Sequence, residues 1–187
     1  AIDDARSLPV TLRLGCHLTA AFAAAAVILS TGTALRWPLL FAVAGAGALA
    51  VAWMSNLFNF MDGADGLAGG MSLIGFGALA YAAFRAGAPD LGMAAGAISA
   101  ASIGFLVFNF PPARVFLGDA GSVPLGFLAG ALGMYGIQRD LWAAWFPALV
   151  FSPFVVDATL TVVHRLAAGE PAWRAHRSHY YQRLVLG

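Results

Sequence analysis

Long apolar stretches, interrupted at short intervals by small polar clusters, make up nearly the whole chain. A helix needs roughly 20 apolar residues at about 1.5 Å each to cross a bilayer core. Six stretches meet that requirement. The first lies between Arg13 and Arg36, and the second runs from Trp37 to about Met61 without a charge. The third covers about Gly66 to Phe84, the fourth Leu91 to about Phe110, and the fifth about Gly121 to Ile137. The sixth, Leu141 to about Val163, carries Asp157 inside it, an acid that should face the bundle interior. The connections are short, so consecutive spans should be antiparallel. The pattern predicts an all-α polytopic membrane helix bundle of about six transmembrane helices, a single integral membrane domain over 1–187. The chain opens on Ala1-Ile2-Asp3-Asp4 and closes on Leu184-Val185-Leu186-Gly187, which predicts a fragment of a larger bundle with helices before it and a final one after it.

Composition narrows this further. Of 187 residues 60% are hydrophobic and only 10% charged, far below the share that keeps a water-soluble domain dispersed. Disordered chains require the opposite balance. A single cysteine, Cys16, excludes a disulfide scaffold, and a net charge of +1 argues against nucleic acid as a partner. All basic residues are Arg, so no lysine is available as a base or Schiff-base former. Forty alanines and 22 glycines suit close helix–helix approach in lipid, although a coding bias would give the same composition.

Six spans place residues 1–13, 56–66, 111–120 and 164–187 on one side. Arg6, Arg13, Arg114, Arg165, Arg174, Arg177 and Arg183 fall there, against Arg36, Arg85 and Arg139 opposite. The excess marks that side as cytoplasmic. The same side collects Asp3, Asp4, Asp62, Asp65, Asp119 and Glu170.

Four segments on this side carry candidate chemistry. Asn56, Asn59, Asp62 and Asp65 recur every three residues, which puts them on one stripe of a helical segment. Two amides and two carboxylates at a membrane boundary are costly unless they meet a ligand, a metal or water. A hydrated helix end with a glycine-rich turn would give the same letters. In the second segment, Phe108 to Ser122, Pro111 and Pro112 end a helix, and Arg114 and Asp119 follow in a tight loop. Asp119, between Gly118 and Gly121, suits a hard cation or a helix cap, and a helix opening at Gly121 and Ser122 would favour phosphate. Asp3 and Asp4 can share a Mg²⁺ or supply a base, or simply start a helix. The last segment places His176 and His179 among Arg174, Arg177 and Arg183, which suits phosphate oxygens or a plain positive loop.

At these residues the chain resembles the polyprenyl-phosphate N-acetylhexosamine-1-phosphate transferases, which include phospho-MurNAc-pentapeptide translocase. Asn56 to Gly66 matches the motif Asn-x-x-Asn-x-x-Asp-Gly-x-Asp-Gly without departure. Phe108 to Ser122 matches Asn-Phe-Pro-Pro-Ala…Phe-x-Gly-Asp-x-Gly-Ser closely, and Ile2-Asp3-Asp4 with Arg13-Leu14 is similar to the aspartate-pair motif. The resemblance implies a Mg²⁺-dependent enzyme of the bacterial inner membrane with its active site facing the cytoplasm. It would move a sugar 1-phosphate from a UDP-N-acetylhexosamine to polyprenyl phosphate and release UMP. It implies that Asp119 is the principal Mg²⁺ ligand with Asp62 beside it, and that Asp3 and Asp4 join Asp119 as catalytic residues. Asn56, Asn59, Asp62, Asp65, Arg114, His176 and His179 would bind substrate. The run His176 to Gln182 departs from three clustered histidines and is more similar to the subgroup that initiates O-antigen. A homodimer is allowed for. Two other readings compete. A CDP-alcohol phosphatidyltransferase needs a further aspartate pair about a dozen residues after Asp65, where none stands. A non-catalytic lipid transporter needs polar residues through the bilayer depth, where only Asp157 lies.

Overall fold

The computed structural model describes residues 10–31 and 36–169. Among the described residues the chain is helical, without strands: α1 (Val10–Ser30), α2 (Trp37–Met61), α3 (Leu67–Arg85), α4 (Pro89–Asn109), α5 (Gly118–Gln138), α6 (Trp145–Val150) and α7 (Ser152–Ala167). The first five are long and apolar enough to cross a membrane. Pro38 and Pro89 stand in the first turns of α2 and α4, where a missing N–H costs nothing. Gly66 precedes α3 at φ +72°, a conformation that a side chain would resist.

The sixth expected span is not one helix. The apolar run from Leu141 breaks at Phe151, giving the six-residue α6 and the 16-residue α7. Pro153 sits in the first turn of α7 and cannot donate the backbone bond that would continue α6 through this point. The Phe151 ring fills the break. It is fully buried, meets Phe58 and Phe76 edge-on at 5.8 and 5.9 Å, and presses on Gly75, where a Cβ would overlap it. Phe154 adds a contact with Phe58 at 5.0 Å. Edge-to-face pairs of this kind are each worth about 0.5–1.5 kcal/mol beyond their burial, so the aromatic cluster holds α2, α3, α6 and α7 together. Asp157 is half-buried on α7, after the break.

α3 packs most extensively on α4, α2 on α5, and α1 on α2. The α2–α5 contact sets the site. Ser122, Gly126 and Gly130 recur every four residues on α5 and face α2 in reverse order. Asn59 donates to the Ser122 hydroxyl, Gly126 lies against the backbone of Met54 and Ser55, and Gly130 against Val51. At the far end of this seam Met134 rests on Gly47. Without a hydrophobic driving force between helices in lipid, such close backbone approach supplies the packing that holds them. It also fixes the register between the end of α2 and the start of α5.

Candidate active site

Both long polar motifs meet at one end of the bundle. The segment from Asp62 to Gly66, leaving α2, faces the segment from Phe110 to Leu117, entering α5. They are joined in both directions. The Asp62 carboxylate accepts the N–H of Leu117 at 3.3 Å and of Gly118 at 2.8 Å. Asp65 accepts the N–H of Ala113 at 2.9 Å. In return Asn109, only 1% exposed, accepts the N–H of Gly66 at 3.0 Å and donates to the carbonyl of Val115 at 2.8 Å. Three side chains thus satisfy backbone groups that would otherwise be orphaned beside a membrane.

The clasp places Asp119. Gly118 turns the chain at φ +59°, and α5 begins there, three residues before the expected start at Gly121. The Ser122 hydroxyl closes the first turn by donating to the Gly118 carbonyl at 2.8 Å. Asp119 therefore stands in the first turn of α5 and not in the preceding loop, where the macrodipole favours a negative charge. Its Oδ1 accepts from Asn59 Nδ2 at 2.6 Å and its Oδ2 from Arg13 Nη1 at 3.2 Å. Three elements, α1, α2 and α5, meet on one carboxylate whose side chain is still 37% exposed.

Asp62 is 8% exposed. Burial pushes its carboxyl above the usual range, the bonds from Gly118 and Leu117 pull it back, and the nearby Asp119 charge raises it again. Two carboxylates thus lie side by side in a half-dry corner, with the Arg13 guanidinium beside Asp119. This donor set fits Mg²⁺, which binds through one or two carboxylates and completes its shell with water and substrate phosphates. Among the described residues no three His, Cys, Asp or Glu converge.

The expected site residues fall into three groups. Asn59, Asp62, Asp65 and Asp119 come together. Asn56 does not join the network, because its amide donates to the Ala52 carbonyl of its own helix at 2.9 Å. Arg114 is held by its backbone N–H to the Phe108 carbonyl at 2.8 Å, and its side chain is exposed. Asp3, Asp4, His176 and His179 lie outside the described residues. The structure adds Arg13, Asn109 and Ser122. Asn109 and Ser122 stand inside the second motif, where a buried amide and hydroxyl flanking a loop are signals for backbone satisfaction. Arg13 was legible as part of the charge bias and of the aspartate-pair motif, but not as the partner of Asp119.

The role of Asn109 has a direct consequence. Asn109→Ala leaves the Gly66 N–H and the Val115 carbonyl unpaired, at a cost of about 1–3 kcal/mol each where no water replaces the amide. Hydrogen exchange of the 113–118 amides should speed up more than that of the α3–α4 helical amides. Unchanged protection of Leu117 and Gly118 would show that the loop does not depend on this residue.

Comparison with known proteins gives the family. The chain is 32% identical over 142 residues, 73% of its length, to the "Probable undecaprenyl-phosphate N-acetylglucosaminyl 1-phosphate transferase" of Bacillus subtilis (strain 168). It is 38% identical over 135 residues, 70% of its length, to the phospho-N-acetylmuramoyl-pentapeptide-transferase of Shouchella clausii (strain KSM-K16), and 36% identical over 135 residues to that of Geobacillus thermodenitrificans (strain NG80-2). In each case the match spans 40% of the relative's own length. The pattern described as "Glycosyl transferase family 4" matches residues 1–137, taking in both clasped motifs and Asp119. This chain is a multi-pass membrane member of glycosyl transferase family 4.

Proposed function

We propose that the full-length protein transfers an N-acetylhexosamine 1-phosphate from a UDP-sugar to polyprenyl phosphate at the cytoplasmic face of the bacterial inner membrane. An oxygen of the lipid phosphate attacks the β-phosphorus, the bond from that phosphorus to the bridging oxygen breaks, and UMP leaves with the electron pair. The product is a polyprenyl-diphosphate-linked sugar. The observation that carries this reading is Asp119, held half-exposed at the start of α5, next to Asp62, by contacts from two other helices, α1 and α2. The family and the named activities of its relatives supply the reaction class. The arginine excess of the segments at this end supports the cytoplasmic orientation.

Phosphoryl transfer asks for positioning and charge stabilisation more than for covalent help. Asp119 and Asp62 would hold Mg²⁺, which supplies charge neutralisation at the phosphate oxygens when bound. Asn59 fixes the rotamer of Asp119, and the clasp fixes the backbone on which Asp119 stands. Asp3 and Asp4 are assigned to the acceptor side, as base or as further ligands, and His176 and His179 to the diphosphate. The run from His176 to Gln182 supports an O-antigen-type donor, an N-acetylated deoxyhexose, over the muramoyl-pentapeptide donor.

The test is UMP release by the purified full-length protein with undecaprenyl phosphate and a panel of UDP-sugars. One donor class should give UMP, EDTA should abolish it, and Mg²⁺ should restore it. Turnover indifferent to EDTA would remove the metal assignment. Absence of UMP with every donor would remove the reaction.

A further inference from the structure

The segment that leaves α4 keeps its apolar side chains outside and its peptide groups inside. Phe108, Phe110 and Val115 are 53%, 69% and 48% exposed, and they continue the exposed face that Ile103 and Val107 form on α4. α4 is long and apolar enough to cross a membrane, so that face meets lipid. Beyond Asn109 the helix has ended, and the backbone of a lipid-facing loop needs partners within the protein. It has them. The N–H groups of Phe110 and Arg114 are taken by the carbonyls of Leu106 and Phe108. Those of Ala113, Leu117 and Gly118 are taken by the carboxylates of Asp65 and Asp62, and Pro111 and Pro112 have none. Asn109 donates to the carbonyl of Val115. A loop bathed in water would not require this, because water would serve its peptide groups. Arg114, exposed among these apolar side chains, supplies a cation at the same level.

We propose that the 108–115 segment is inserted in the bilayer surface on the Asp119 side: Phe108, Phe110 and Val115 enter the boundary between headgroups and acyl chains, and Arg114 rests on the phosphates of anionic lipids. Large amphipathic and aromatic groups gather at that depth, and an arginine on its long stem reaches the headgroups from it. Asp119 follows on the same backbone, so the insertion sets the height of its carboxylate at the level of the lipid phosphates. A lipid-borne phosphate then reaches the site by lateral movement, without being lifted out of the leaflet. The position of the loop does not depend on the reaction proposed above, whereas its effect on a lipid acceptor rests on that reading.

Spin labels on Phe110→Cys and Val115→Cys, in full-length protein otherwise free of cysteine and reconstituted into phosphatidylglycerol bilayers, report the depth. Collisions with oxygen, which concentrates among acyl chains, should exceed those with a water-soluble nickel chelate several-fold at both positions. The excess should be smaller than at Ile103→Cys, on the exposed face of α4. Greater access to nickel than to oxygen puts the loop in water and overturns the proposal. Shielding from both shows that protein covers the loop and overturns it equally. In phosphatidylcholine bilayers the 115 label should sit nearer to water, and Arg114→Gln should erase the difference between the two lipids. Equal depth in both lipids with the arginine in place overturns the anionic contact. Phe110→Asp keeps the main-chain bond to Leu106. It should raise the KM for undecaprenyl phosphate by about tenfold, the loss expected when one large apolar side chain no longer enters lipid, with the KM for the UDP-sugar near wild type. Phe110→Leu should keep both values. Equal rises in both KM values, or none, overturn the effect on the acceptor. Wild-type protein that releases no UMP overturns the reaction proposed above, and the spin-label depths then decide the position of the loop by themselves.

Discussion

Asp119→Asn in the full-length protein should lower turnover by about a thousandfold while the protein still purifies as a folded membrane protein. Removing one preorganised electrostatic group from a charge-stabilising site typically costs a hundredfold to a thousandfold, and here the lost group is the one on which α1, α2 and α5 converge. The change is nearly isosteric. Asparagine keeps an oxygen that can accept from Arg13 or from Asn59, so the α2–α5 seam, which rests on glycine contacts and Ser122, remains. The effect should appear in kcat and in the loss of Mn²⁺ binding, with little change in the thermal midpoint in detergent. A variant that keeps a tenth of wild-type turnover would mean that Asp119 is not the residue holding the cation. A variant that aggregates would show that Asp119 contributes to the fold beyond its bonds to Asn59 and Arg13, and Asn59→Ala, which removes one of those bonds without removing the charge, would then carry the test with a smaller loss.

The largest effect on stability should come from a residue without a side chain. Gly126→Leu forces a branched side chain into the backbone of Met54 and Ser55, where even a methyl would overlap. Overpacking of this kind costs about 1–3 kcal/mol, occasionally more, when neighbours can move. Here the neighbours are main-chain atoms of a helix, so the helices must part. Parting α2 from α5 moves Asn59 away from Asp119 and Ser122. Turnover should therefore fall further than the drop in melting temperature alone accounts for. Gly45→Ala is the control. Nothing lies within 4 Å of a Cβ at that position, so the change should be neutral or stabilising by up to about 1 kcal/mol through helix propensity. If Gly126→Leu and Gly45→Ala melt alike, the α2–α5 seam does not set the register of the site.

The helices were legible where the polar punctuation is strong. Arg36 before Trp37-Pro38 and the acids after Met61 bracket α2, and its bounds follow from them. Pro111-Pro112 likewise ends α4 close to where the sequence places it. The break at Phe151 was not legible from hydropathy, because the run from Leu141 to Val163 is apolar enough to continue. The signal was Pro153, and its effect depends on Phe151 filling the gap against Gly75. In the site, spacing identified Asn56, Asn59, Asp62 and Asp65 as a group and left Asp119 in a second, separate motif, without showing their division of labour. A three-residue repeat cannot show that Asn56 turns back to its own helix while Asp62 and Asp65 cross to another loop. Nor can it show which arginine meets Asp119, since that pairing is made by the packing of α1 on α2 and α5, across more than a hundred residues.

Asp62, Asp65 and Asn109 hold the 110–118 segment by its peptide groups. What they recognise is the path of the chain, which every amino acid except proline can present at Ala113 and Leu117. The outward side chains of this segment are thus uncoupled from the support of the carboxylate that follows them. Selection can rewrite what the exposed part of the loop shows, position by position, without loosening the backbone on which Asp119 stands. A scaffold so arranged can vary the surface beside Asp119 by drift at the exposed positions 114–116, while Leu117, packed on the core, stays apolar, and a saturation library across 114–116 should leave the fold intact.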